Sequence, residues 1–251
     1  YDTVVREAIE NPDKNYLVIV PEQFTMQTQK DLCLAHPKGG IMNIDVLSFG
    51  RLAYRVFEEV GQDARVVLGD EGKNLVLRKI AGECEKDLKV FKGNLKKQGY
   101  ISEVKSVLSE FAQYGVDFER LDDFMKEVPP ESYLHYKLDD IRTIYEKFEE
   151  YLSEKYITKE EMLDVLSDAV PYSDILKGSV VAMDGFTGFT PVQNRLIGEL
   201  FSVCEKVMIT VTMDGRENPY VYEHPYQIFA LGKQMVTSLM KIAGEKKTEI
   251  E

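Results

Sequence analysis

The sequence predicts an α/β protein: an open parallel sheet interrupted by an inserted all-helical subdomain. Three observations carry this. Four short runs, 16–20, 44–47, 180–183 and 207–212, are rich in β-branched residues and mostly lack alternation, as strands covered on both faces do. A segment of helical spacing follows each run, at 22–35, 48–60, 191–203 and 224–243. Strand-then-helix repetition means right-handed βαβ units. Between the second and third runs lie about 130 residues with helical periodicity and no strand pattern, far more than the dozen or so that a plain crossover needs.

Residues 1–10 read as helix, with Val4, Val5, Ala8 and Ile9 at helical spacing. A chain that opens at Tyr1 in mid-helix is expected to be a piece of a longer protein. The long middle block repeats the helical signal at Leu75, Val76, Lys79 and Ile80, at Val104, Val107, Leu108 and Phe111, and at Ile141, Ile144, Tyr145, Phe148 and Leu152. Pro129-Pro130 breaks it internally. Thr158-Lys159-Glu160-Glu161 has the pattern of a capping box and opens a helix carrying Met162, Leu163, Val165 and Leu166. Thr190-Pro191-Val192-Gln193 is a second, with Pro at the first helical position and Val192, Leu196, Ile197, Leu200 and Phe201 as its apolar face. The organisation expected is a core lobe of residues 1–62 and 158–251 around a helical insertion at 63–157.

The 251 residues are 44% hydrophobic and 29% charged, enough apolar content for a true core and against wholesale disorder. No apolar run approaches the roughly 20 residues that span a bilayer, and no charged leader precedes an apolar stretch. Cys33, Cys84 and Cys204 form no C-x-x-C pair, and His36, His135 and His224 are scattered, so neither a disulfide framework nor a metal centre is indicated. A reducing cytoplasm is the expected location, with no membrane partner. The net charge of −12 argues against a surface that binds nucleic acid all over, while a local basic groove stays open. Charge is uneven within the insertion. Residues 86–105 carry six lysines (86, 89, 92, 96, 97 and 105) against two acids, and residues 117–131 carry six acids against two bases.

Three turns lie where open α/β sheets bind ligands, past the carboxyl ends of strands. In Val20-Pro21-Glu22-Gln23-Phe24-Thr25, Phe24 can stack on a base and Thr25 can bond a phosphate; read alone, the turn is an ordinary connection with Phe24 in the core. In Leu47-Ser48-Phe49-Gly50-Arg51, Ser48 can cap the next helix and Arg51, with Arg55 on the same face, can add charge; read alone, this is a capped helix with solvated arginines. In Met183-Asp184-Gly185-Phe186-Thr187-Gly188-Phe189, Asp184 stands where a nucleotide-hydrolysing enzyme holds magnesium, or it merely caps the loop. The next position is Gly185, which can neither orient nor deprotonate water. No G-x-x-x-x-G-K-[ST] occurs, nor any G-x-S-x-G or H-E-x-x-H.

Taken in order, these segments resemble the amino-terminal, helicase-like region of the AddB/RexB subunits of bacterial ATP-dependent helicase–nucleases, and more distantly UvrD/Rep superfamily 1 helicases. The segments from Val20 to Thr25 and from Leu47 to Phe57 resemble helicase motifs that touch single-stranded DNA. The segment from Asp184 to Gln193 resembles the Asp-Glu motif with its second acid replaced, and Thr210-Val211-Thr212-Met213-Asp214 stands at the following motif. The resemblance implies a P-loop-NTPase-like sheet of the helicase 1A type, the insertion being the subdomain such helicases carry. It implies a role in double-strand-break repair beside an AddA-type subunit, on single-stranded DNA or a duplex end. ATP with magnesium and an iron–sulfur cluster would belong to the longer protein, with no cofactor in these residues. The expected function is a degenerate motor domain that guides or senses DNA without catalysis. Phe24, Thr25, Ser48, Phe49 and Arg51 are the candidate DNA contacts, and Asp184 is a remnant of a magnesium site. The alternatives are a working ATPase whose phosphate loop precedes Tyr1, and a protein-interaction scaffold.

Overall fold

A computed structural model describes residues 1–61, 65–95, 97–153, 155–222 and 224–251. The domain boundary expected at 62–63 and Lys96 of the basic run lie outside the described residues. The chain forms two compact units, Tyr1–Asp63 with Leu163–Glu251, and Ala64–Met162. In chain order, α1 (Asp2–Glu10), β1 (Tyr16–Ile19), α2 (Thr25–Ala35), β2 (Ile44–Leu47) and α3 (Phe49–Val60) come first. Then follow β3 (Val66–Leu68), α4 (Asp70–Cys84), α5 (Gln98–Tyr114), α6 (Phe118–Glu127), α7 (Tyr133–Leu152) and β4 (Tyr156–Thr158). The chain finishes with α8 (Glu161–Ala169), β5 (Val180–Met183), α9 (Pro191–Val203), β6 (Lys206–Ile209) and α10 (Ala230–Lys246). Among the described residues no helix is long and apolar enough to cross a membrane.

The first unit is built on a four-stranded parallel sheet in the order β2-β1-β5-β6. The central strand β1 is buried along its length, which is why its sequence reads as an unbroken apolar run. Tyr16, Val18 and Val20 pack with Val4, Val5 and Ala8 of α1 and Leu32 of α2. Leu17, Ile19, Val181 and Met183 alternate to the other face and are also buried, so both faces are covered. The register aligns Leu47, Ile19, Met183 and Ile209 in one row. The segments after all four strands therefore leave from a single edge.

The fourth strand stops at Ile209 rather than Thr212. Thr210 N–H still donates to Met183 C=O at 2.9 Å, but β5 has ended and offers no further partner. α10 starts at Ala230 rather than 224, because Phe229 stands in the left-handed region (φ 65°) and no helix runs through it. The segment expected as helix from residue 22 is a short 3-10 turn, Glu22–Phe24, before α2 begins.

The second unit buries Leu77, Ile80, Ile101, Ile144, Phe148 and Leu152 in one core. Its helices follow the periodicity of the sequence, but it is not all-helical. β3 and β4 pair in parallel, Val66 with Tyr156 through Leu68 with Thr158. Three-residue strands are too short to show a period, and their partners stand some ninety positions apart in sequence. A buried ion pair, Lys73 Nζ to Glu160 Oε2 at 2.6 Å, is completed by Ser109 Oγ at 3.2 Å. Ser132 caps α7 after the Pro129-Pro130 break, accepting from His135 N–H at 3.1 Å. The Thr158 capping box forms: the Thr158 hydroxyl accepts from Glu161 N–H at 3.2 Å, and the Glu161 carboxylate accepts from Thr158 N–H at 2.7 Å.

Candidate nucleic-acid interface

The site is the edge where the four strands end. Past β1, Pro21 turns the chain and Phe24 N–H closes the 3-10 turn onto Pro21 C=O at 2.8 Å. Phe24 is left 46% exposed. Thr25 is buried, and its hydroxyl donates to Glu22 C=O at 3.0 Å. It starts α2 rather than facing solvent.

Past β2, Ser48 is the N-cap of α3, its hydroxyl accepting from Arg51 N–H at 3.4 Å. The same hydroxyl donates to a carboxylate oxygen of Glu22. Arg51 Nε donates to the other oxygen of that carboxylate at 3.2 Å. Glu22 thus ties the first turn to the second and neutralises the exposed guanidinium. Arg55, one turn on, is paired to Asp45 at 2.8 Å. Both arginines that promise positive charge in the sequence stand against acids.

Past β5, Gly185 adopts φ 79°, a conformation that strains any side-chain-bearing residue. A methyl group built there would sit 3.5 Å from Pro21 Cδ and 3.6 Å from Phe24 Cδ2, so this turn packs on the first. Phe186 and Phe189 close over Phe49, with centroids 5.4 and 6.4 Å from its ring and 5.1 Å from each other. Phe49 is buried under them. Asp184 is half-buried. One carboxylate oxygen accepts from the Thr210 hydroxyl past β6, and the other from Tyr1 Oη at 2.8 Å. Burial works to raise its pKa, but the hydrogen bonds from Thr210 and Tyr1 outweigh burial and hold it below the usual carboxylate value. Burial and the same carboxylate raise the Tyr1 phenol above its ordinary value.

All six candidate residues therefore gather at one edge, and they divide in two. Phe24 and Arg51 face solvent. Thr25, Ser48 and Phe49 are buried, and Asp184 lies half-buried among the same turns. Sequence reasoning does not single out Glu22, Phe186, Phe189, Tyr1 or Thr210. Glu22 and the two phenylalanines lie inside the segments quoted above, yet what joins them to Arg51 and Phe49 is a contact between distant turns.

The sequence model of the family described as "ADDB, N-terminal" matches residues 1–251. The chain is 44% identical over 252 residues to the B-type subunit of the ATP-dependent helicase/deoxyribonuclease of Lachnoclostridium phytofermentans, covering all of this chain and 22% of that protein. It is 36% identical over 205 residues to the protein of that name in Alkaliphilus metalliredigens, covering 82% and 18%. For Thermoanaerobacter pseudethanolicus the identity is 34% over 248 residues, covering 98% and 21%. The chain thus spans about a fifth of the length of these relatives.

Proposed function

The chain belongs to the family of AddB amino-terminal regions, and from that premise we propose that it is a degenerate, helicase-like lobe of a DNA-break-processing helicase–nuclease, guiding or sensing DNA and hydrolysing no nucleotide itself. The sheet is read as the P-loop-type core of a helicase 1A domain, and the helical unit as its insertion. The partner is a motor subunit of the AddA type. DNA, as a single strand or a duplex end, lies along the strand tips against Phe24 and Arg51. ATP, magnesium and any iron–sulfur cluster belong to other parts of the assembly.

The observation that supports the non-catalytic reading is the geometry of Asp184 and Gly185. An ATP-hydrolysing motor needs a second group beside its magnesium ligand to handle water. Here that position is a glycine in the left-handed region, packed against Pro21 and Phe24. Both oxygens of Asp184 carry hydroxyl donors from this chain. The residues present do not fit a magnesium-nucleotide site, and no chemical step is assigned to them. The test is DNA-stimulated ATP hydrolysis by the purified chain. No activity above background is expected, and a clear DNA-dependent rate would overturn the reading. Replacing Arg51 by Ala in the full-length complex tests the guiding role. Removing one phosphate interaction lowers the salt slope of DNA binding by about one unit. An unchanged slope together with weakened subunit association would favour a docking scaffold instead.

A further inference from the structure

We propose that the described residues of the loop after α4, 85–95 and Lys97, with Arg78 of α4 beside them, form a preformed cationic platform that grips the phosphate backbone of DNA. The inference rests on the reading that the longer protein handles DNA, and it concerns a surface that no motif marks.

The loop's sequence sets its two sides. Leu88, Phe91 and Leu95 are buried in the core of the helical unit, whereas Lys86, Lys89, Lys92 and Lys97 between and after them are exposed. The loop's shape is pinned from beneath. Asp140 of α7 is 1% exposed, and its carboxylate accepts the backbone N–H groups of Lys89, Val90 and Phe91 at 2.8, 2.7 and 2.8 Å. Three consecutive amides converge on one buried charge, so the loop is ordered during folding and binding need not meet that entropy. Lys105, counted with this run in the sequence, pairs with Asp70 at 3.8 Å and leaves it.

Among the described residues this surface carries more cations than acids: Arg78, Lys86, Lys89, Lys92 and Lys97 against Glu85, Asp87 and Asp139. Among the described residues, Arg78, Lys86 and Lys92 have no acidic partner. Lys89 pairs with Asp139 at 2.8 Å and lies 5.1 Å over the Tyr136 ring. Lys97 bonds Asn94 at 3.1 Å and lies 5.9 Å over Tyr100. Glu85 and Asp87 are the acids within the loop. A cleft of about 450 Å³ separates Arg78 and Gly82 from Phe91 and Gly93. The ammonium groups cover the ring faces a base would need, so the platform suits phosphates and reads no sequence. On a chain of net charge −12 such a surface also fixes which side a polyanion approaches.

The test uses the full-length protein with its motor subunit, carrying Lys86→Gln, Lys89→Gln and Lys92→Gln together, on random-sequence duplex and on single strands. Removal of three phosphate interactions at roughly 0.9 each predicts a salt slope shallower by about 2–3 units for duplex, and about 2 for single strands. The weakening is expected to be the same for unrelated sequences. A weakening confined to one form supports the proposal and says which form lies there. An unchanged slope on both overturns it. Arg51→Ala is run in parallel. If it alone moves the slope, the platform fails and the strand-tip reading stands; if only the lysine variant moves it, the reverse holds. A wild-type complex that retains no DNA overturns both. Asp140→Asn removes a negative charge, so simple attraction makes binding tighter, whereas loosening of the pinned shape makes it weaker. Tighter binding by a folded Asp140→Asn protein would count against the platform.

Discussion

The strand-tip edge and the loop after α4 are built on opposite plans. The edge holds every recognisable motif, and its arginines are neutralised: Arg51 by Glu22, Arg55 by Asp45. The loop holds no motif; Asp140 beneath it is spent on backbone amides and Lys89 pairs with Asp139, while among the described residues Lys86 and Lys92 have no acidic partner. At the edge both arginines are paired with acids; on the loop Lys89 is, and Lys86 and Lys92 are not. Motif content and binding charge are thus separate properties, and a chain of strongly negative net charge can keep them in different places.

The largest effects test how each region is held. Phe49→Ala opens the aromatic cluster at the edge, and a buried Phe truncated to Ala typically costs about 3–5 kcal/mol. Denaturant unfolding of the sheet unit would measure it, and a cost under about 1 kcal/mol would mean that Phe186 and Phe189 do not depend on Phe49. Asp140→Ala leaves three amides without their charged acceptor, an expected loss of about 3 kcal/mol in the helical unit. Hydrogen exchange at Lys89, Val90 and Phe91 should accelerate selectively; uniform exchange would deny that Asp140 pins the loop. Gly185→Ala places a side chain at φ 79° and is expected to cost about 1–2 kcal/mol. A neutral result would remove the backbone reason for glycine at that position.

What is legible in the sequence follows the same division. The sheet is readable because strands covered on both faces are apolar throughout, a property of each strand alone. β3 and β4 are hidden because each is only a partner for the other. Phe24 and Phe49 illustrate the limit within the site. Both follow a strand tip within a few residues, and both read as DNA contacts from sequence. Phe49 is buried because Phe186 and Phe189 stand across from it, and Phe24 is exposed because nothing of that size does. That difference belongs to the segment after β5, more than 130 positions away. Glu22 escapes a sequence reading for a similar reason: its partners are Ser48 and Arg51, brought close only by the register of β1 with β2.

A pH effect belongs to the helical unit. Burial, and then the neighbouring Glu161 carboxylate, push Glu149 up to about 7. A carboxyl whose pKa is higher folded than unfolded holds extra protons in the folded state, so stability falls as pH rises from about 4.5 to about 7. Glu149→Gln should therefore stabilise the unit at pH 8 and change it little at pH 4.5, as melting at the two values would show. Equal effects at both would mean that burial beside Glu161 does not raise the Glu149 carboxyl.

The smallest expected effect bears most directly on the comparison. If Glu22 competes with a phosphate for Arg51, then Glu22→Gln should strengthen that contact. The amide keeps the size of the side chain and can still accept from the Ser48 hydroxyl, so the turn is retained. The guanidinium loses its charged partner and meets a phosphate without competition, adding a few-fold to affinity at low salt. Exposed ion pairs are worth about 1 kcal/mol or less, which sets the ceiling on that gain. The gain should vanish in the Glu22→Gln, Arg51→Ala double variant, because the two residues act through each other. If the gain persisted without Arg51, Glu22 would be repelling DNA as a bare charge. The edge would then differ from the loop after α4 by the sign of its field alone, and the pairing of its arginine would be incidental.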